Sequence, residues 1–242
     1  MNRGVVLQEA LRQLRRLEPE PRAERAVVAA LEAAVTGPLN WMYEAVLEGG
    51  LPATTARTRA AAVLLLFAAG NLADDLADGD CDYLEAPLRE GPAVQYLLHN
   101  LAVATLTTEL PADVLGCVTL DLAGAATMQP AELHAATWDA DLTMRVAHAL
   151  GGLQYRAYAQ VAWFGSPFAS RAAETGERLG CVGFVAEDVR SRDRRYWSIP
   201  DRDRKSVRDW ALGMCATLRE ERIQVVDRAL DWAEGILAKV GE

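Results

Sequence analysis

The stretch GNLADDLAD, residues 70–78, closes a long apolar run with three carboxylates. Residues four positions apart lie on one face of a helix, so Asp74 and Asp78 point the same way, and Asp75 lies beside them. Two carboxylates about 5 Å apart repel each other by roughly 1 to 3 kcal/mol, depending on the effective dielectric constant. A fold tolerates this repulsion where water solvates the acids, where one acid stays protonated, or where a hard cation such as Mg²⁺ bridges them. The uncharged segment 60–69 indicates that the acids end a buried helix.

Composition favours one helical domain over residues 1–242. Hydrophobic residues make up 51% of the chain, and the prevalence of alanine and leucine favours helices. The net charge of −9 argues against a nucleic-acid partner. We expect no transmembrane segment, because no uncharged apolar run reaches about 18 residues. The chain starts without a secretion signal, and its cysteines are widely spaced, so we expect a cytoplasmic protein with reduced thiols.

The apolar spacing is helical almost throughout, and no segment predicts a strand. Glycine and proline pairs, such as Gly49-Gly50, mark the helix ends. No shift in composition divides the chain, so we expect a single all-α domain. The predicted helices cover about residues 5–17, 23–35, 38–47, 54–78, 92–109, 111–126, 138–163, 168–190 and 205–240.

A second acidic cluster follows another apolar segment. The stretch LGCVGFVAED, residues 179–188, ends in Glu187 and Asp188. Sites in helical bundles are usually built from side chains on facing helices, so two such helix ends would form a pocket for Mg²⁺ and a diphosphate. Solvated helix ends are the alternative interpretation of both clusters.

The first cluster matches DDxxD, the first aspartate-rich motif of the trans-isoprenyl diphosphate synthases, letter for letter over residues 74–78. Segment 179–190 resembles the region of the second motif in this polyprenyl synthetase family, and the resemblance covers roughly residues 30–215. It implies the class I isoprenoid synthase fold, an all-α bundle around a central cavity. In the family, both acidic motifs hold Mg²⁺ on the diphosphate of an allylic substrate. The resemblance therefore implies metal ligands at Asp74, Asp75, Asp78, Glu187 and Asp188.

Several family features are altered in this sequence. Segment 37–43 contains no Lys or Arg, although family members carry a basic GGKxxRP-like segment there that binds isopentenyl diphosphate. The family's Arg-Arg-Gly segment is replaced by residues 79–84, and its Lys-Thr pair has no counterpart near residues 150–152. Phe184 replaces a glutamine, and Ser191 replaces the last aspartate of the second motif. Because phosphate recognition depends on Arg and Lys donors, we expect the isopentenyl diphosphate site to be absent.

Arginines follow the second cluster directly. We predict that Arg190, Arg194 and Arg195 contact the diphosphate, as an Arg-Tyr pair does in class I terpene cyclases. The alternative is an exposed basic loop that pairs with Asp201 and Asp203.

The second cluster also resembles part of a terpene-cyclase metal triad. Glu187 and Ser191 correspond to its first two members, but Arg195 occupies the third position, where those enzymes have an acid.

An aromatic stripe precedes the second cluster. Tyr155 and Tyr158, together with Phe184, are predicted to line a pocket for the hydrocarbon chain and to stabilise a cation, with ordinary core packing as the alternative. His148 lies on the same apolar segment, and we expect it to be an interior histidine with a satisfied hydrogen bond.

Mg²⁺-dependent chemistry on an allylic isoprenoid diphosphate is the leading functional hypothesis, with prenyl transfer as the reaction that the resemblance implies. The altered isopentenyl site leaves two alternatives open: cyclisation without isopentenyl diphosphate, and transfer of the prenyl group to a different acceptor. Two non-enzymatic hypotheses remain: a catalytically inactive partner subunit or lipid-binding module, and a helical interaction protein with solvated acidic clusters. The apolar face of the last predicted helix suggests a homodimer; its residues are Val225, Val226, Leu230, Ile236 and Leu237.

Overall fold

The structure, a computed structural model, describes residues 3–35 and 40–239, and all regular secondary structure in these ranges is helical. This confirms the predicted all-α class. The α-helices are α1 (Arg3–Arg15), α2 (Pro21–Ala34), α3 (Asn40–Glu48), α4 (Ala53–Asp78), α5 (Pro87–Leu106), α6 (Ala112–Ala126), α7 (Gln129–Leu133), α8 (Ala140–Val146), α9 (Gln154–Trp163), α10 (Ala172–Ser191), α11 (Arg194–Trp197), α12 (Asp201–Arg219) and α13 (Gln224–Leu237).

The chain forms two compact units, Met1–Leu115 and Gly116–Glu242. Each unit has its own central helix, α4 in the first and α10 in the second. The prediction of a single domain over residues 1–242 stays a prediction.

Helix α4 is the core of the first unit. Every residue from 59 to 66 is buried, so neighbours cover the helix on all sides there, and it packs against α1, α2, α3 and α5. Its end is set by Gly79, whose left-handed backbone (φ 83°) allows its N–H to donate to the Asp75 carbonyl. Among the described residues, α4 alone is long and apolar enough to cross a membrane, yet 56% of its most apolar window is buried inside the protein. The observed burial is that of a core helix.

Helix α10 is the core of the second unit, where it packs against α9, α12, α13 and a π-helical segment, Ala147–Leu153, that joins α8 to α9. Glycines make the closest of these contacts possible. A Cβ atom at Gly151 would lie 2.5 Å from the Gly180 carbonyl oxygen, and one at Gly180 would meet the Gly151 carbonyl oxygen. The two backbones can approach this closely only because neither residue has a side chain.

The predicted helix 205–240 is wrong as a single element. Helix α12 ends at Arg219, Arg222 adopts a left-handed conformation (φ 53°), and α13 folds back against α10 and α12. Because this reversal turns the chain inward, the apolar face of α13 is in the core: Val225, Val226, Leu230 and Leu237 are at most 1% exposed. That face is therefore not available to a second copy of the chain. Val240, the predicted end, lies outside the described residues.

His148 is not an interior histidine. It lies on the π-helical segment, where the wider turn presents its ring to the surface, and its side chain is 50% exposed. Its Nε2 atom is 3.0 Å from Glu177 Oε1. The expected hydrogen-bond partner is present, but at the surface.

The contact between Gly151 and Gly180 gives a test of the packing. We expect Gly180→Ala to lower the free energy of unfolding by about 1–3 kcal/mol, because the added methyl group collides with backbone atoms that cannot move aside. Gly183→Ala on the same helix is the matched control. A Cβ there meets nothing within 4 Å, so the change should be under about 1 kcal/mol. Urea unfolding of both variants measures this, and equal effects would contradict the packing described.

Candidate functional site

The first acidic cluster lies where α4 emerges from the core of its unit. Asp74 and Asp75 are half-buried, whereas Asp78 is exposed. One oxygen of Asp75, Oδ2, accepts hydrogen bonds from Asn71 Nδ2 at 2.8 Å and from the Tyr83 hydroxyl at 2.7 Å. These two neutral donors fix the orientation of the Asp75 carboxylate.

Electrostatics at this helix end disfavour negative charge. Burial raises the pKa of Asp75, and the charges of Asp80, Asp78 and Asp82 raise it further, while the Tyr83 hydrogen bond lowers it. The carbonyl end of a helix carries partial negative charge, which is unfavourable for acids and favourable for cations. No basic residue occupies the last turn of α4. The arrangement therefore favours a bound cation.

The second acidic cluster has arginine partners. The exposed Glu187 pairs with Arg190, whose Nε donates to Glu187 Oε2 at 2.9 Å. The buried Asp188 has its Oδ1 atom 3.3 Å from Arg195 Nη2. Burial raises the pKa of Asp188 to about 7, an effect that Arg195 opposes, and Asp188 Oδ2 has no hydrogen-bond partner.

Arg195 is the centre of a cluster of opposite charges, which we call the Arg195 cluster (Glu132, Asp188, Asp193 and Arg195). Its Nε and Nη2 atoms each donate to Asp193 at 2.9 Å, and its Nη1 donates to Glu132. The guanidinium carbon also lies 5.1 Å from the centre of the Phe184 ring. Three carboxylates and one aromatic face therefore hold a single arginine.

The other predicted diphosphate contacts differ in their surroundings. Arg190 is engaged with Glu187, whereas Arg194 is exposed and forms no ion pair with any residue in 3–35 or 40–239. Asp201, an alternative partner in the basic-loop interpretation, pairs with Arg204 instead.

The predicted hydrocarbon-pocket residues lie along the packing of α9 against α10. The rings of Tyr155 and Tyr158 are 5.8 Å apart, and Tyr158 is 1% exposed. Phe184 is half-buried beside Arg195 and close to Gly151. Tyr158 is thus a core residue, and the role of the three aromatics in a hydrocarbon pocket stays a prediction.

The donor sets of the two clusters differ in how they suit Mg²⁺. Across the described residues, no three His, Cys, Asp or Glu side chains converge as a preformed metal cage. Mg²⁺ needs no such cage, since one or two carboxylates, water and substrate phosphates suffice. Asp74, Asp75 and Asp78 meet that requirement at an electrostatically suitable helix end. Glu187 and Asp188 do not fit as presented, because arginines already contact both.

Sequence reasoning missed the residues that orient these acids. Asn71 was detectable, since it precedes Asp75 by one helical turn. Tyr83 and Asp193 lie on short segments after the two helices and carry no motif. Glu132 gives no sequence signal at all, because it meets Arg195 from a distant part of the chain.

The fold is shared with solved isoprenoid enzymes. A geranyltranstransferase from Thermotoga maritima matches with a TM-score of 0.74 and 14% identity, over 99% of both chains. A geranyltransferase from Legionella pneumophila matches with a TM-score of 0.63 and 15% identity, over 99% of this chain and 97% of that one. The geranyl diphosphate synthase small subunit from Antirrhinum majus matches with a TM-score of 0.62 and 17% identity, over 95% of this chain and 97% of that one. No protein-family model and no curated protein matches the sequence.

The chain has the isoprenoid synthase fold. The predicted fold class is thereby confirmed, and both acidic clusters belong to helices of that fold. The segment that would correspond to the basic isopentenyl diphosphate site lies partly outside the described residues, at positions 37–39.

The raised pKa of Asp75 gives a test by pH. The folded protein holds the Asp75 proton more tightly than the unfolded chain does, so Asp75 costs stability as pH rises from its ordinary pKa of 3.8 through its raised folded value. Asp75→Asn carries no such charge, and its amide oxygen can accept both hydrogen bonds. We expect the stability advantage of the variant over wild type to grow across this window and then stay level.

Urea unfolding from about pH 4 to about pH 8 in EDTA measures this difference. Asp113→Asn, at an exposed position of α6, controls for the loss of one surface charge. A variant that loses stability relative to wild type as pH rises would contradict the assignment.

Proposed function

We propose that this protein is a Mg²⁺-dependent isoprenoid synthase that acts on an allylic prenyl diphosphate, with prenyl transfer as its reaction. The observation that carries the proposal is the DDxxD sequence at the end of the buried helix α4, in a chain that shares its fold with a geranyltranstransferase over 99% of both lengths. Fold alone does not define a reaction, so the acidic helix end provides the chemical argument.

In this proposal, Asp74, Asp75 and Asp78 hold the metal. A Mg²⁺ ion held by these carboxylates would supply positive charge that stabilises the leaving diphosphate. Asn71 and Tyr83 keep the Asp75 carboxylate in one orientation through their hydrogen bonds. Such outer partners of metal-binding carboxylates typically support affinity by about 10- to 100-fold.

The contacts to the rest of the substrate are part of the proposal. Arg194 is the best candidate of the three arginines to bind the diphosphate, because it is exposed and Arg190 and Arg195 are already paired. Tyr155 and Phe184 remain candidates for contact with the hydrocarbon chain, since both are only half-buried.

Two other functions are supported by specific observations. Ionisation and cyclisation without isopentenyl diphosphate are favoured by the absence of Lys and Arg from segment 37–43. A role as a non-catalytic partner subunit or lipid-binding module is supported by the likeness to a chain that is itself a geranyl diphosphate synthase small subunit.

We also propose that the protein is a cytoplasmic homodimer. Helix α6 is apolar, but only Val118 and Ala125 of its residues are buried, and Leu120 is 73% exposed. A second copy of the chain would cover this face, which replaces α13 as the candidate dimer surface. The four cysteines are all free, as expected in a reducing compartment.

The direct test is Mg²⁺-dependent release of pyrophosphate from geranyl, farnesyl and geranylgeranyl diphosphates, with and without isopentenyl diphosphate. We expect Mg²⁺-dependent release from at least one of these substrates, and release that requires isopentenyl diphosphate would show that the altered segment 37–43 still supports prenyl transfer to it. We also expect Asp78→Asn to slow release by about 100-fold, or about 2.7 kcal/mol of barrier, because it removes a metal ligand. Asp113→Asn is the control and should leave the rate unchanged.

The other outcomes separate the alternatives. Release without isopentenyl diphosphate would support ionisation followed by cyclisation or hydrolysis, and the organic product would distinguish the two. No release from folded protein under any condition would contradict the enzyme proposal and favour the partner subunit.

A further inference from the structure

We propose that the guanidinium of Arg195 replaces a metal ion at the second acidic motif, so that divalent-cation binding by this chain is confined to the first motif. The inference deepens the proposed function and rests on it only for the metal at Asp74, Asp75 and Asp78. It concerns whether the second motif can bind Mg²⁺, and it stands on contacts within the second unit.

The first support is the geometry of the Arg195 cluster. All three carboxylates direct oxygen atoms at one guanidinium: Asp188 at 3.3 Å, Asp193 at 2.9 Å, and Glu132 through a hydrogen bond from Nη1. The side chains of Asp188 and Glu132 are only 4% and 8% exposed. A cation of fixed charge thus occupies the space between the acids that a divalent ion would need.

The second support is that local structure fixes Arg195 in place. Helix α10 ends at Ser191, the next residue Arg192 has a left-handed conformation (φ 59°), and Asp193 then caps α11 by accepting from the Arg195 backbone N–H at 2.7 Å. The same Asp193 carboxylate binds the Arg195 side chain, and the Phe184 ring lies against the guanidinium at 5.1 Å. Moving the Arg195 side chain away would break its hydrogen bonds to Asp193 at the edge of the guanidinium and the contact of the guanidinium face with Phe184.

The third support is the chemistry of the competing cation. Mg²⁺ dehydrates reluctantly and requires near-octahedral oxygen ligands. An arginine stays charged at all ordinary pH values and presents planar donors that match carboxylates. Mg²⁺ would therefore have to lose water and also displace an ion-paired group that belongs to the same chain.

The fourth support is the contrast between the two motif helices. Helix α10 carries Arg190 in its last turn, and Arg195 lies on the following helix α11, so each acid of the second motif has an arginine partner. The last turn of α4 contains no basic residue. The sequence places an arginine where terpene cyclases have the third acid of their metal triad, and the structure gives that arginine the contacts of a counter-ion.

The test is a titration of the full-length protein with Mn²⁺ alone, in which free Mn²⁺ is measured by electron paramagnetic resonance. We expect Asp188→Asn to leave the number and affinity of Mn²⁺ sites unchanged within about twofold, because no site uses Asp188. We expect Asp74→Asn to weaken binding by about tenfold or more, since loss of a residue that only orients a metal ligand already reaches that size. A Mn²⁺ site of the wild-type protein that Asp188→Asn removes would overturn the proposal.

Arg195→Gln provides the complementary result. Without the guanidinium, three acids are left together, two of them buried, so we expect one additional Mn²⁺ site and a melting temperature that falls in EDTA and recovers with Mn²⁺. Arg190→Gln is the matched control: it removes an exposed arginine that pairs with Glu187 alone and should add no site. A folded Arg195→Gln protein that gains no Mn²⁺ site would overturn the proposal.

Different results would contradict the proposed function and the proposed role of Arg195. Absence of Mn²⁺ binding that depends on Asp74 would count against the proposed function. The Asp188→Asn comparison and the site gained in Arg195→Gln decide the role of Arg195. If Arg195→Gln does not fold even with Mn²⁺, the Asp188→Asn comparison still decides, because this variant replaces a carboxylate by a group of the same shape.

Discussion

Carboxylates at the C-terminal end of a helix lie against the negative end of the helix dipole, and the structure of both acidic clusters depends on how that repulsion is relieved. The charge–dipole interaction is typically worth 0.3–1 kcal/mol per group, and neighbouring carboxylates add roughly 1 to 3 kcal/mol more. Helix α10 relieves it with Arg190 and Arg195. Helix α4 has no arginine or lysine in its last turn, and Asp75 receives hydrogen bonds from neutral donors.

This difference is the basis of our proposal that the two similar sequence motifs have different chemistry. In our proposal, Asp74, Asp75 and Asp78 bind a cation from solution, and burial of α4 holds them at a fixed position in the first unit. The second motif carries its own cation, held by the cap of α11 and by Phe184. A chain with this arrangement would bind fewer metal ions than two complete aspartate-rich motifs would, and would rely on arginine for the missing charge.

The sequence predicted those features that local chemistry determines. The end of α4 is predictable because an apolar run stops at acids followed by Gly79, and the observed helix, Ala53–Asp78, agrees closely with the prediction. The reversal at Arg222 was missed because apolar spacing continues on both sides of it, and a single left-handed residue leaves no clear pattern. The π-helical segment that exposes His148 was missed for a similar reason, since its composition is that of an ordinary buried helix.

In the candidate site, too, the features that local sequence determines were predictable and those that depend on tertiary contacts were not. Acidic residues and their helical spacing were visible in the sequence, and so was the arginine at the third triad position. The contact between Glu132 and Arg195 was not visible in the sequence. It depends on the path of the chain through α7 and α11, and no repeated spacing indicates it. Tertiary contacts therefore determine that Glu132 and Asp188 share one arginine.

The most direct test of this account is a crystal structure of the protein grown with Mn²⁺ and an unreactive thiodiphosphate analogue of an allylic substrate. Anomalous scattering from manganese locates each bound ion without reference to turnover. We expect manganese beside Asp74, Asp75 and Asp78, and none within the Arg195 cluster, where the guanidinium keeps its contacts. Manganese coordinated by Asp188, or no manganese at the end of α4, would contradict it.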